Sequence, residues 1–192
     1  MVNEICVQYP DKSWVIYRNF EKIEDYDTVI NIICSYCELS ELPNLPSQLQ
    51  YLSCEYNKLT SLPPLPDSLQ ILDCNSNQLD ELPSLPNSLQ RLHCYDNKLT
   101  KLPKLPNSLQ YLYCHNNKLT SLPELPNSLT ELICKDNELT SLPPLPDSLR
   151  YFICENNHLS FLPELPNSLK ILSCENNNFI TSYKYDYLND II

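Results

Sequence analysis

Apolar positions recur along this chain in two interleaved rhythms. Within YLYCH, from Tyr111, Leu112 and Cys114 alternate with Tyr111, Tyr113 and His115, the period-two signature of a strand with one buried face. Between such stretches the pattern returns every 20 residues, at Cys34, Cys54, Cys74, Cys94, Cys114, Cys134, Cys154 and Cys174. The unit reads LxxLxCxxNxLxxLPxLPxS and starts at Val29, Leu49, Leu69, Leu89, Leu109, Leu129, Leu149 and Leu169, its last copy stopping near Phe179. A repeat of that length predicts stacked coils, each supplying one short strand to a parallel sheet with neighbours ~4.8 Å apart.

The second half of the unit carries prolines three residues apart, as in TSLPELPNS. Each proline fixes its own φ and pushes the residue before it into an extended conformation. No α-helix fits, so an extended or polyproline-like back is expected. Asn57, Asn77, Asn97, Asn117, Asn137, Asn157 and Asn177 share one position, where a buried amide can satisfy backbone groups of its own turn and of the next coil. Cys37 takes that place in the first copy, where one neighbouring coil is missing and the ladder can start more loosely.

The first half, LxxLxCxxNxL, resembles the leucine-rich repeat. The second, LxxLPxLP, resembles the short proline-bearing class of type III secreted bacterial effectors, the YopM-like and IpaH-like proteins; cysteine-bearing repeats of this kind are also similar to those of giant amoeba-infecting viruses. The resemblance implies a β-rich solenoid, a curved right-handed coil with a parallel sheet on its concave face and no convex helices. It covers residues 29–179, leaving 1–28 as an N-terminal cap and 180–192 as a C-terminal cap folded over the last coil. In the first of these, EICVQY and SWVIY flank Pro10-Asp11-Lys12 and read as a hairpin, followed by the acidic NFEKIEDYD, where a helical segment is expected. The effectors use a helical hairpin there, so this cap departs from theirs. Trp14, the sole tryptophan, is expected to pack on the first coil.

Composition narrows the functional classes. Glycine and alanine are absent, which argues against phosphate-cradling loops and dinucleotide sites. A formal charge of −11, from 24 acids against 13 bases, disfavours nucleic acid and anionic membranes. Neither an apolar run of spanning length nor a basic-then-apolar leader is evident, so a soluble chain without a secretion signal of that type is expected.

Cysteines invite chemistry, and the repeat frame redirects it. Cys114-His115 is the pairing of a thiol nucleophile with its base, but the frame turns Cys114 inward and His115 outward. The motifs Cys94-Tyr95-Asp96 and Cys134-Lys135-Asp136 match the nucleophile signature of the IpaH-like ubiquitin ligases, whose catalytic cysteine lies in a separate helical domain. In-register strands hold facing Cβ atoms ~4.8 Å apart, beyond the ~3.5–4.5 Å a disulfide needs, and a single file of thiols cannot converge on a metal. Buried free thiols are expected, in a reducing compartment. Cys6 and Cys37 lie off the column.

Comparing the copies separates framework from variation. The outward columns of the strands vary, and at their centre Arg91, His93 and Tyr95 adjoin Tyr111, Tyr113 and His115, with Tyr51 and Tyr151 further out and acids gathered toward the ends. Tyrosine and arginine are enriched at interface hot spots, so these eight residues are the candidate partner-binding set; the alternative is a solvated sheet face on which tyrosine is simply a good strand former. His93 and His115 lack a third ligand of suitable type, with Asp73 expected on the far side, so no metal or cofactor is expected. Catalysis is not expected either. The leading reading is a protein-interaction module: a scaffold, inhibitor or host-targeting effector in the host cytosol, binding another protein, with an acidic segment fitting the locally basic Arg91 copy. The alternatives are the substrate-recognition part of a ubiquitin-ligase system with catalysis on another chain, and a structural repeat without a specific partner.

Overall fold

The structure, a computed structural model, describes residues 4–179. Among them ten strands form one sheet. β1 (Ile5–Gln8) and β2 (Trp14–Tyr17) form a hairpin, and then each copy gives one three-residue strand: β3 (Asn31–Ile33), β4 (Tyr51–Ser53), β5 (Ile71–Asp73), β6 (Arg91–His93), β7 (Tyr111–Tyr113), β8 (Glu131–Ile133), β9 (Tyr151–Ile153) and β10 (Ile171–Ser173). From β3 to β10 the strands are parallel and follow chain order, in a register of one repeat: Leu92 pairs with Leu112 and His93 with Tyr113. The described residues contain no α-helix. This is a β-solenoid with its sheet on the concave face and proline-bearing segments on the convex side.

Leucine columns fill the interior. Leu89, Leu92, Cys94 and Leu99 of one copy are fully buried, and so are their equivalents at Leu109, Leu112, Cys114 and Leu119. Burying one such leucine stabilises the fold by ~1.5–3 kcal/mol. Prolines suit the convex side because they lack the N–H that a segment without sheet partners would have to satisfy.

Two polar ladders tie the coils together. Asn97 Oδ1 accepts the Leu79 N–H at 2.9 Å, while its Nδ2 donates to the carbonyls of Cys74, Cys94 and Tyr95 at 3.1–3.2 Å. The amide therefore serves its own turn and the preceding coil, where the sequence reading looked to the next. In the first copy the Cys37 thiol instead faces the carbonyls of Glu4 and Ser35. A second ladder closes the unit: the Ser108 hydroxyl donates to the Leu89 carbonyl at 2.6 Å, and Ser128 repeats this on Leu109.

Directly after each strand the chain turns through left-handed backbone. Tyr36, Tyr56, Ser76, Asp96, Asn116, Asp136, Asn156 and Asn176 have φ of 51° to 59°. Glycine would be the default there. Without it, five of the eight copies use Asn or Asp, the residues that best tolerate this region.

At the amino-terminal end β1 pairs antiparallel with both β2 and β3. Ile5 and Val7 point into the core, and two short 3₁₀ turns, Phe20–Lys22 and Tyr26–Thr28, follow. Trp14 corrects its expectation. It lies on the outer strand β2, 49 % exposed, and pairs with Gln8, which in turn pairs with Asn31. Register thus carries Trp14 and Ile16 onto the concave side, one strand too far out to pack on the first coil. The segment 180–192, expected to fold over the last coil, lies outside the described residues.

Candidate functional site: the concave aromatic face

One-repeat register sets equivalent side chains of neighbouring coils face to face at the spacing of stacked rings. His93 and Tyr113 stack with centroids 4.5 Å apart and planes 8° from parallel. Tyr95 and His115 do the same at 4.3 Å and 9°. The Arg91 guanidinium lies over the Tyr111 ring, its Cζ 4.6 Å from the centroid. The six central residues of the sequence reading are thus three ordered pairs between neighbouring coils, two bridging β6 and β7 and the Tyr95–His115 pair just beyond the strand ends. Each pair contributes ~0.5–1.5 kcal/mol beyond its area burial, and together they present a preformed surface.

The outlying candidates are placed differently. Tyr51 is half-buried two coils away, and its hydroxyl donates to Asp73 Oδ2 at 3.1 Å. Tyr151 is exposed on β9, with Glu131 between it and Tyr111.

Acidic side chains belong to the centre itself, which revises their expected gathering at the ends. Asp73 Oδ1 lies 2.7 Å from His93 Nδ1, an ion pair when the imidazole is protonated, and it flanks His93 from β5, the side away from His115. The Tyr113 hydroxyl donates to Glu131 Oε2; burial first, and then this carboxylate, push that phenol up to about 12. Asp73 links Tyr51 to His93, and Glu131 holds Tyr113 from the other flank. The repeat frame places both residues in the outward columns, but their contacts with His93 and Tyr113 were not foreseen. His115 is held below the ordinary histidine value mainly by burial, against the opposing charge of Asp96, and its Nδ1 is enclosed without a hydrogen-bond partner.

The cysteines lie on the other side of the sheet. All eight column thiols are buried and unpaired. Burial pushes the Cys114 thiol up to about 12 and raises Cys94 and Cys134 well above the ordinary value. A neutral thiol is a poor nucleophile, and the imidazole beside Cys114 in sequence is stacked on Tyr95 on the concave face. Cys6 is half-exposed, while Cys37 is buried against the hairpin.

Comparison with known proteins agrees with this geometry. A family model described as leucine-rich repeats (2 copies) matches residues 47–87 and 87–127. YopM from Yersinia enterocolitica WA-314 superposes with a TM-score of 0.76 at 47% identity, covering 77% of this chain and 33% of its own. The leucine-rich effector protein YopM of Yersinia pestis gives 0.72 at 41% identity, covering 75% of this chain and 42% of its own. A Shigella effector LRR domain gives 0.68 at 38% identity, covering 79% of this chain and 71% of its own. The matched part thus spans less than half the length of the two YopM chains. No curated protein matches significantly. With the repeat, the register and these likenesses in agreement, the chain belongs to the leucine-rich repeat family and, within it, resembles the effector leucine-rich repeat domains.

Proposed function

We propose that this chain is a protein-interaction module whose concave centre, formed by Arg91, His93, Tyr95, Tyr111, Tyr113 and His115, binds another protein without performing chemistry. The carrying observation is that the three cross-strand pairs are already ordered, so binding avoids much of the cost of fixing rotamers. Tyr51 and Tyr151 extend the surface toward its two ends. The effector-like relatives support a role against host proteins, with the host cytosol as its place of action. Arg91 is exposed and ready to meet an acceptor, while Asp73 and Glu131, each already engaged by a donor of the concave face, add negative charge on either flank. The partner surface is therefore of mixed charge, with an acidic residue reaching Arg91. Affinity purification from host lysate tests this: a protein retained by the native chain and lost with Arg91→Ala/Tyr111→Ala/Tyr113→Ala supports the reading, and equal retention by both contradicts it.

A further inference from the structure

Tyr36 and Tyr56 stand apart from the concave centre. They occupy the left-handed turn in the first two copies, with φ of 59° and 53°, where bulky residues are disfavoured. All six later copies place Ser, Asp or Asn there. Burial does not explain the choice, since the two rings are 55 % and 45 % exposed. They stack on each other, centroids 4.4 Å apart and 8° from parallel, and the next place in the column is Ser76, which carries no ring. Glu55 precedes Tyr56 in sequence, and its carbonyl accepts the Tyr36 N–H at 3.1 Å. The Tyr36 phenol is shifted upward by desolvation, then by Tyr56 and the Glu55 charge, and Glu55 also acts on Tyr51 and Tyr95. Among the described residues no cation pairs with Glu55, whereas nearby Glu38 is neutralised by Lys58 at 3.1 Å.

We infer that the Tyr36–Tyr56 stack and Glu55 form a second docking surface that receives an arginine side chain from a basic segment of a partner protein. Arginine fits better than lysine, because a planar guanidinium can stack on a tyrosine ring while its N–H fork meets a carboxylate. The −11 charge of the chain favours a basic segment over an acidic one. Strained residues held at the surface without burial are the kind of outlier that points to a function.

The test is titration of the full chain with the peptide acetyl-Gly-Arg-Gly-Arg-Gly-Arg-Gly-Arg-Gly-amide, with affinity read by calorimetry in the native chain and every variant, and with the ring NMR signals of Tyr36 and Tyr56 followed in the native chain. Saturable shifts are expected. Tyr36→Asn/Tyr56→Asn should weaken binding at least about tenfold, with melting temperature unchanged or raised, because Asn holds the same turn at Asn116, Asn156 and Asn176. That double substitution leaves net charge unaltered, so general attraction to the acidic chain survives it. Glu55→Gln should weaken binding at least about threefold, and a lysine version of the peptide should bind more weakly than the arginine one. Unchanged affinity in the double variant would overturn the assignment. So would a lowered melting temperature, which would make the stack a folding device, or sedimentation showing that the native chain pairs with itself through these rings.

Discussion

His93 lies flat against Tyr113, ring centroids 4.5 Å apart, because β6 and β7 pair in a register of one repeat. Both alternate with the fully buried Leu92 and Leu112 and lie on the opposite face of the sheet from them. The separation of the two faces gives the proposed recognition surface and the stabilising core different residues, and mutations can probe them independently.

Stability should follow the inward face. Leu112→Ala empties a fully buried site and is expected to cost ~2–5 kcal/mol. Asn97→Ala strands the Leu79 N–H and leaves three carbonyls short of a donor, at ~1–3 kcal/mol. His115→Ala loses its stack on Tyr95 and should cost only ~0.5–1.5 kcal/mol. Urea denaturation gives the ranking; equal costs for Leu112→Ala and His115→Ala would mean that the inward and outward sets are wrongly assigned.

How far the chain could be read in advance depends on the scale of the interaction. Strand positions, the thiol column and the helix-free back follow from a twenty-residue period and from prolines that forbid helix. The left-handed turns were not visible, because the usual glycine marker is absent and Asn, Asp, Ser and Tyr share the duty. Trp14 was misplaced since composition cannot say which strand of a hairpin lies outermost. The repeat frame sets Asp73 beside His93, but the contact itself depends on side-chain rotamers that a repeat frame does not fix.

The thiol column should make the fold alkali-sensitive. Unfolded cysteines lose their protons near pH ~8.5, whereas burial holds Cys114 protonated up to about 12 and raises its column neighbours too. Between those limits the unfolded state binds fewer protons. Stability is therefore intact below pH ~8.5 and falls above it, by ~1.4 kcal/mol per thiol per pH unit. Melting temperatures at neutral and mildly alkaline pH check this, and Cys114→Val should shallow the slope. Native maleimide labelling should reach half-exposed Cys6 first; rapid labelling of the column would contradict the placement.

Left-handed turns offer a route to stabilisation. Ser76, at φ 54°, bears a Cβ penalty of ~1–2 kcal/mol that glycine escapes, against ~0.5–1 kcal/mol of added chain entropy. Ser76→Gly should raise the urea midpoint slightly, and Ser76→Val should lower it clearly. A loss of stability with glycine would show that the turn is not strained.

The central claim is that recognition resides on the concave centre, and the most direct measurement is calorimetric titration of a captured partner against single variants. Arg91→Ala, Tyr111→Ala and Tyr113→Ala are each expected to weaken binding by ~1–3 kcal/mol while circular dichroism stays native. Glu124→Ala, an exposed change on the convex side, should leave affinity within error. Loss of binding in Glu124→Ala with none in the three concave variants would place the site on the convex side and contradict the account.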